Sequence, residues 1–355
     1  MQLLRTDKSI YKIRRRPYGD AAFPLKVRPL DDELLSSWLV RVALEHKTRP
    51  TTFTNLYLPE TRNKLWAADV DLHADEELLV RLSVKAALPV EMLRSMTFRA
   101  YEGVLFERLY PATGGTPFVL RLAMRGRWSR APGMRWCPQC LTEDEQPYFR
   151  KKWRVAIFTL CRKHRRRLVD RCACGRPLTL YKAKWDEGKP YCSKCGACLA
   201  NVGHFRQKED LESVINGQEQ LQGIMGDGYV MMAGVPVYAH LYFAVLHQVM
   251  KLMLSKRYGA LLREAIPVGD NQKIVFEIKR FQPLETLEIE RQELLLQKGV
   301  WLLGKWPDRF IRICRTHDLF TSALLRDMKQ APFWYWRLII DALYYPGLIG
   351  TEGEI

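Results

Sequence analysis

Eight of the nine cysteines in this 355-residue chain lie between Cys137 and Cys198, and Cys314 alone lies outside. Two chemistries gather thiols in this way, disulfide formation and metal binding. Disulfides belong mostly to oxidising compartments and small secreted domains. The opening residues, M-Q-L-L-R-T-D-K-S-I-Y-K-I-R-R-R-P, hold no apolar stretch of signal-peptide length. No run of about 18 apolar residues occurs that could span a membrane. The expectation is therefore a cytoplasmic chain with reduced thiols, in which clustered cysteines favour metal.

The spacings divide the ligands into two sets. Cys137 and Cys140 form C-P-Q-C, and Cys161 and His164 form C-R-K-H after an interval of twenty residues. A C-x-x-C turn brings two sulfurs to one ion, and a second pair completes a tetrahedron. Cys172 and Cys174 (C-A-C) with Cys192 and Cys195 (C-S-K-C) make the other set. Cys192 and Cys195 are preferred as its closing pair, because Y-C-S-K-C-G-A-C-L places them across a knuckle ending in Gly196. Cys198, three residues further on, is an alternative last ligand. Both sets supply four protein ligands and leave no open coordination position, which is the pattern of structural rather than catalytic zinc. The expected cofactor is Zn2+, two ions per chain. His46, His73, His204, His240, His247 and His317 are assigned to surface or core.

Lys and Arg number 56 against 39 Asp and Glu, a formal charge of +17. Seven zinc-bound thiolates and two dications would bring this to about +14. Such an excess favours polyanions, nucleic acid above all. Y-K-I-R-R-R-P (11–17) forms a basic arm. Around the first ligand set, Arg127, Arg130, Arg135, Lys151, Lys152, Arg154, Arg165, Arg166 and Arg167 stand among aromatic residues. That mixture suits phosphate contact with stacking, so these nine are the candidate nucleic-acid-binding residues.

The pattern predicts a mainly α fold. Residues 1–130 read as an N-terminal helical (helix-turn-helix) domain with its basic arm, 131–205 as a tandem zinc-finger region and 206–355 as a C-terminal helical domain. In V-R-P-L-D-D-E-L-L-S-S-W-L-V-R-V-A-L-E-H-K-T-R-P, Leu35, Trp38, Leu39, Val42 and Ala43 form an apolar stripe. Asp31 or Asp32 is the expected cap, and Thr48 sits at the start of the next helix. A second helix pair is broken at Leu88-Pro89. Either pair fits helix-turn-helix spacing, in which the second helix enters a major groove. Residues 207–262 read as helical, most clearly from V-P-V-Y-A-H-L onward. G-V-W-L-L-G-K-W satisfies G-x-x-x-x-G-K at Gly299, Gly304 and Lys305, but Trp306-Pro307 replaces the hydroxyl residue that would hold magnesium, so no nucleotide is assigned.

F-P-L-K-V-R-P-L-D-D-E-L-L-S-S-W-L-V-R resembles the opening signature of the TniQ/TnsD transposition proteins. L-W-A-A-D-V-D-L-H is similar to that family's N-x-W-x-R-D-I-D segment, with Ala67-Ala68 where a polar-Arg pair is common. Trp136, Cys137, Cys140, Trp153, Cys161, His164, Cys172, Cys174 and Gly175 match its zinc region in order. W-P-D-R-F (306–310) is similar to a C-terminal element of the family. The resemblance covers about residues 23–200 closely and 290–340 loosely.

The resemblance implies a target-selection adaptor with no catalysis of its own. Such proteins connect a target to a TnsC-like AAA+ transposition ATPase. The target is attachment-site DNA or, in CRISPR-associated transposons, a Cascade-like guide-RNA effector complex. The moderate length of the C-terminal part favours the RNA-guided kind, in a bacterial, nucleoid- or ribonucleoprotein-associated setting. A stand-alone zinc-containing DNA-binding regulator is the alternative, distinguished by binding a defined duplex without an ATPase. No histidine-carboxylate motif or open metal site argues for an enzyme. Aromatic-rich helices around Trp38 and in P-F-W-Y-W-R-L-I-I-D-A-L-Y-Y further predict a homodimer, joined through exposed apolar surface.

Overall fold

The computed structural model describes residues 18, 21–62, 64–109, 115–122, 133–202, 211–268, 283–326, 328 and 330–343. The basic arm, Arg127, Arg130 and His204 lie outside the described residues. Helices account for about half of what is described, with only three short two-stranded antiparallel hairpins. None of the described helices is long and apolar enough to cross a membrane.

The N-terminal part is a set of short helices: α1 (Leu35–Glu45), α2 (Pro50–Tyr57), α3 (Val70–His73), α4 (Glu76–Ala86) and α5 (Val90–Ser95). Asp75 caps α4 by accepting from the Leu78 amide at 2.8 Å, and α4 gives way to α5 across Leu88-Pro89 as its sequence predicts. The cap of α1 is not Asp31 or Asp32. Asp32 turns away, its carbonyl accepting the Lys151 amide at 2.6 Å. The amides at the start of α1 go instead to distant partners: Leu34 to Phe149 O, Leu35 to Met96 O, and Ser36 to Asp71 Oδ1 at 2.7 Å. Thr48 closes α1 rather than opening α2, donating to Ala43 O at 3.2 Å. Trp38 has no exposed surface, and its Nε1 donates to Val27 O. The helix around it therefore presents no aromatic face to a partner.

After the metal-binding region come α7 (Glu212–Asp227), a hairpin of β5 (Tyr229–Met232) and β6 (Val235–Tyr238), then α8 (Ala239–Leu252) and α9 (Gly259–Ala265). The hairpin interrupts what the sequence predicts as helix. Ala233 and Gly234, both at positive φ, form its turn, and two strands of β-branched, aromatic and Met residues flank them. Next are α10 (Ile289–Leu303), α11 (Asp308–Thr316), α12 (Thr321–Leu324) and α13 (Phe333–Leu343). Gly299 lies inside α10, where an added Cβ would come within 2.7 Å of Leu246 Cδ1 on α8. Its small size lets two helices approach, which accounts for this half of the phosphate-loop look-alike. The W-P-D-R-F element packs on α13, with Trp306 4.8 Å from Trp334 and Phe310 5.6 Å from Tyr335 between ring centroids. One hydrophobic cluster runs from Phe23 to Leu343 through all these parts.

A buried ionic cluster joins the helical part to the metal-binding part. The Arg154 side chain is fully buried. Nη1 donates to Asp69 Oδ1 at 2.8 Å and Asp71 Oδ2 at 2.7 Å, and Nη2 to Asp69 Oδ2 and to Leu120 O at 3.0 Å. Asp71 also accepts both the amide and the hydroxyl of Ser36. Burial pushes Asp71 up to about 6 from an ordinary 3.8; Arg154 opposes this and Asp69 adds to it. A folded value above the unfolded one means that Asp71 favours folding most below about pH 4 and loses that contribution as pH rises through about 6. Native protein should therefore lose stability relative to Asp71→Asn as pH is raised across that window, measured by chemical denaturation. Arg154→Met, which leaves two carboxylates buried without a counter-charge, should cost about 3–5 kcal/mol at neutral pH. A flat difference profile and a neutral Arg154→Met would contradict this reading of the cluster.

Candidate metal centres

The first centre is assembled from a helix start and a hairpin. Cys137 is the residue before α6 (Pro138–Glu143), with Pro138 in the first turn, where its missing N–H costs nothing. Cys140 follows one turn later. Cys161 ends β1 (Leu160–Cys161), which pairs with β2 (Arg166–Arg167), and the connection between the strands carries His164. His164 Nδ1 lies 3.3, 3.4 and 3.5 Å from the sulfurs of Cys137, Cys140 and Cys161, and Cys140 and Cys161 sulfurs are 3.6 Å apart. Zinc bonded at about 2.0–2.3 Å would hold tetrahedral ligands about 3.5–3.8 Å apart. The donor set therefore fits the ion in both number and spacing.

The thiols also conflict with one another unless a cation joins them. Hydrogen bonds from Cys137 and Cys140 hold the Cys161 thiol far below its usual range, while hydrogen bonding with Cys137 and Cys161 pushes Cys140 far above it. A dication allows all three to be thiolates together. On the outer side, His164 Nε2 lies 3.0 Å from Glu143 Oε2. A carboxylate at that nitrogen orients the ring for ligation through Nδ1. Sequence reasoning missed Glu143, which stands three residues after Cys140, one helical turn on and on the ligand side of α6.

The second centre is built from knuckles around the hairpin of β3 (Lys184–Asp186) and β4 (Lys189–Tyr191). The amide of Gly175 donates to Cys172 O at 2.8 Å, and that of Gly196 to Cys192 O at 3.0 Å. The sulfurs of Cys172, Cys174, Cys192 and Cys195 all lie within 4.8 Å of one another, with Cys172 to Cys195 at 3.4 Å and Cys174 to Cys192 at 3.8 Å. Cys198 is not in this group. Its backbone bridges to Tyr191 and precedes a short 3-10 turn. Trp66 stacks on Tyr181 at 5.1 Å, tying this centre to the N-terminal helices.

Residues 24–168 match the TniQ family model. Residues 24–168 form a TniQ domain. A search of curated proteins finds no match to it. The matched span takes in the five N-terminal helices and the whole first centre and stops before the second. Its signature residues have structural roles in this domain. Ser37 Oγ donates to Glu33 Oε1 at 3.0 Å and accepts the Phe149 amide at 2.9 Å. Arg41 pairs with buried Glu33 at 2.7 Å, and Ser36 binds the second aspartate of D-V-D.

Of the nine basic residues proposed to contact nucleic acid, Arg127 and Arg130 lie outside the described residues; of the other seven, four are buried and a fifth pairs with a buried glutamate. Arg135 is fully buried, donating to Phe158 O at 3.2 Å and to Gln292 Oε1, and burial lowers it to about 10. Arg154 is held as described above. Lys151 is buried, lies 5.2 Å above the Tyr101 ring and donates to Ser95 O. Arg166 is buried, with Nη1 3.5 Å from Gln139 Oε1. Arg167 pairs with buried Glu293 of α10 at 2.8 and 3.1 Å. Lys152 is half-buried, and Arg165 is exposed, paired with Glu212 of α7.

Elemental analysis of purified protein should give two zinc ions per chain. Cys137→Ser or Cys172→Ser should each remove one and unfold the surrounding region, since structural zinc supplies folding free energy on the order of 10 kcal/mol in isolated fingers. Cys198→Ser should keep both, and Glu143→Gln should weaken the first site by roughly ten-fold or more. One zinc ion or none in well-folded native protein would overturn the ligand assignment.

Proposed function

We propose that this chain is a transposition target-selection adaptor of the TniQ family. In this reading it links attachment-site DNA or a Cascade-like guide-RNA effector complex to an AAA+ transposition ATPase and catalyses nothing itself. The match of residues 24–168 to the TniQ family carries the reading. The metal centres agree with it, since each ligand set is closed by four protein groups and would serve folding rather than chemistry. The helix pairs α1–α2 and α4–α5 are the proposed helix-turn-helix units of the N-terminal part. A homodimer is part of the same proposal, supported by Phe333 and Trp336 on α13, which are 67% and 44% exposed.

A reconstituted reaction containing the ATPase and transposase of the same element tests this. Adding the chain should direct insertions to one target, and omitting it should abolish that preference. In sedimentation, a species of twice 41.5 kDa is expected. Insertion that is equally targeted without the chain, or magnesium-dependent DNA cleavage by the chain alone, would refute the adaptor reading.

A further inference from the structure

Away from both metal centres, the segment 115–121, the end of α8 with the turn that follows, and residues 283–326 enclose a cavity of about 800 Å3. That is the size of a ligand site, for which roughly 300–1,000 Å3 is usual. Its charge is one-sided. Arg121, Lys251, Lys256, Arg257 and Arg326 line it with His247, and Glu285 is the one carboxylate among the lining residues. Glu285 is already engaged, accepting the Phe118 amide at 3.0 Å and lying 2.8 Å from His247 Nε2. One carboxylate against five cations leaves the lining positive. The Arg257 guanidinium lies 4.5 Å from the ring centroid of Phe320 and 5.2 Å from that of Tyr258. Arg257 and Phe320 are both exposed, and the buried Tyr258 hydroxyl has no hydrogen-bond partner among the described residues.

Five permanent cations converging on one concavity repel one another and raise the local concentration of anions. A single small anion would use one or two of them. These cations come from three separate segments and stand beside an exposed aromatic ring. A ligand with several linked phosphates and a flat base uses both features, the phosphates on the cations and the base against the ring. We propose that this cavity binds single-stranded nucleic acid, with backbone phosphates on Lys251, Lys256, Arg257 and Arg326 and a base stacked on Phe320.

This site goes beyond the target-selection reading and does not depend on it, because it is tested with the purified full-length, zinc-loaded chain alone. The probe is a fluorescein-labelled oligothymidine of about a dozen nucleotides, followed by anisotropy across roughly 50–200 mM salt. Lys256→Glu with Arg257→Glu should weaken binding and lower the logarithmic salt slope by about 1.4, two phosphate contacts' worth for a single strand. Phe320→Ala should weaken binding about five-fold or more and leave the slope unchanged. Lys256, Arg257 and Phe320 are exposed, so the variants should retain native zinc content and melting temperature. Lys184→Glu with Lys189→Glu, an equal change of charge on the distant β3–β4 hairpin, should leave binding unaltered. Native-like binding by the Lys256/Arg257 variant, an equal loss in the Lys184/Lys189 control, or equal competition by ATP or a duplex of the same length would overturn the assignment.

Discussion

Arg154 is a guanidinium without access to water, and the arrangement of the N-terminal half follows from what it takes to keep it there. A buried cation is tolerated only when its charge and its donors are met. Asp69 and Asp71 meet the charge, and Leu120 O and Gly133 O accept further N–H groups. Asp71 in turn terminates α1 through Ser36. Arg154 lies in the interval between Cys140 and Cys161, so the loop that closes the first metal centre also carries the charge that organises the helices. Helical part and finger are thereby one structural unit, in keeping with a family match that spans both.

The same constraint explains what became of the positive charge beside that centre. A basic run usually lies on a solvated face, but here it acts as a set of struts. Arg135 reaches Gln292 and Arg167 reaches Glu293, both on α10, while Arg165 reaches Glu212 on α7. The finger is therefore tied to helices more than a hundred residues away in the case of α10. Among the described residues, a further group of cations lines the cavity beside α8, on residues scattered through the chain.

The two groups of candidate ligands were legible because thiolates at C-x-x-C spacing have few other uses and because their geometry is local. Both breaks between helix pairs were legible for a similar reason, since proline acts on its own neighbours. The alternative between Cys195 and Cys198 needed three dimensions, as both lie one knuckle apart. What sequence reasoning misplaced depended on distant partners. Asp32 has the chemistry of a cap, yet Asp71 does the capping, because burial beside Arg154 places it at the first turn of α1. Trp38 and the finger arginines have the composition of surface-binding residues, and tertiary packing decided their burial. The β5–β6 hairpin was hidden because Val, Tyr and Met alternate equally well in a strand or in an amphipathic helix.

The central claim is that the first metal centre and the N-terminal helices are held as one unit through Arg154. Amide hydrogen exchange before and after zinc is removed with a chelator tests it most directly. If the unit is continuous, loss of metal should strip protection not only from residues 137–168 but also from α1, beginning at the Ser36 amide that Asp71 holds. Full protection of α1 in the metal-free protein, with exchange confined to the finger, would contradict it.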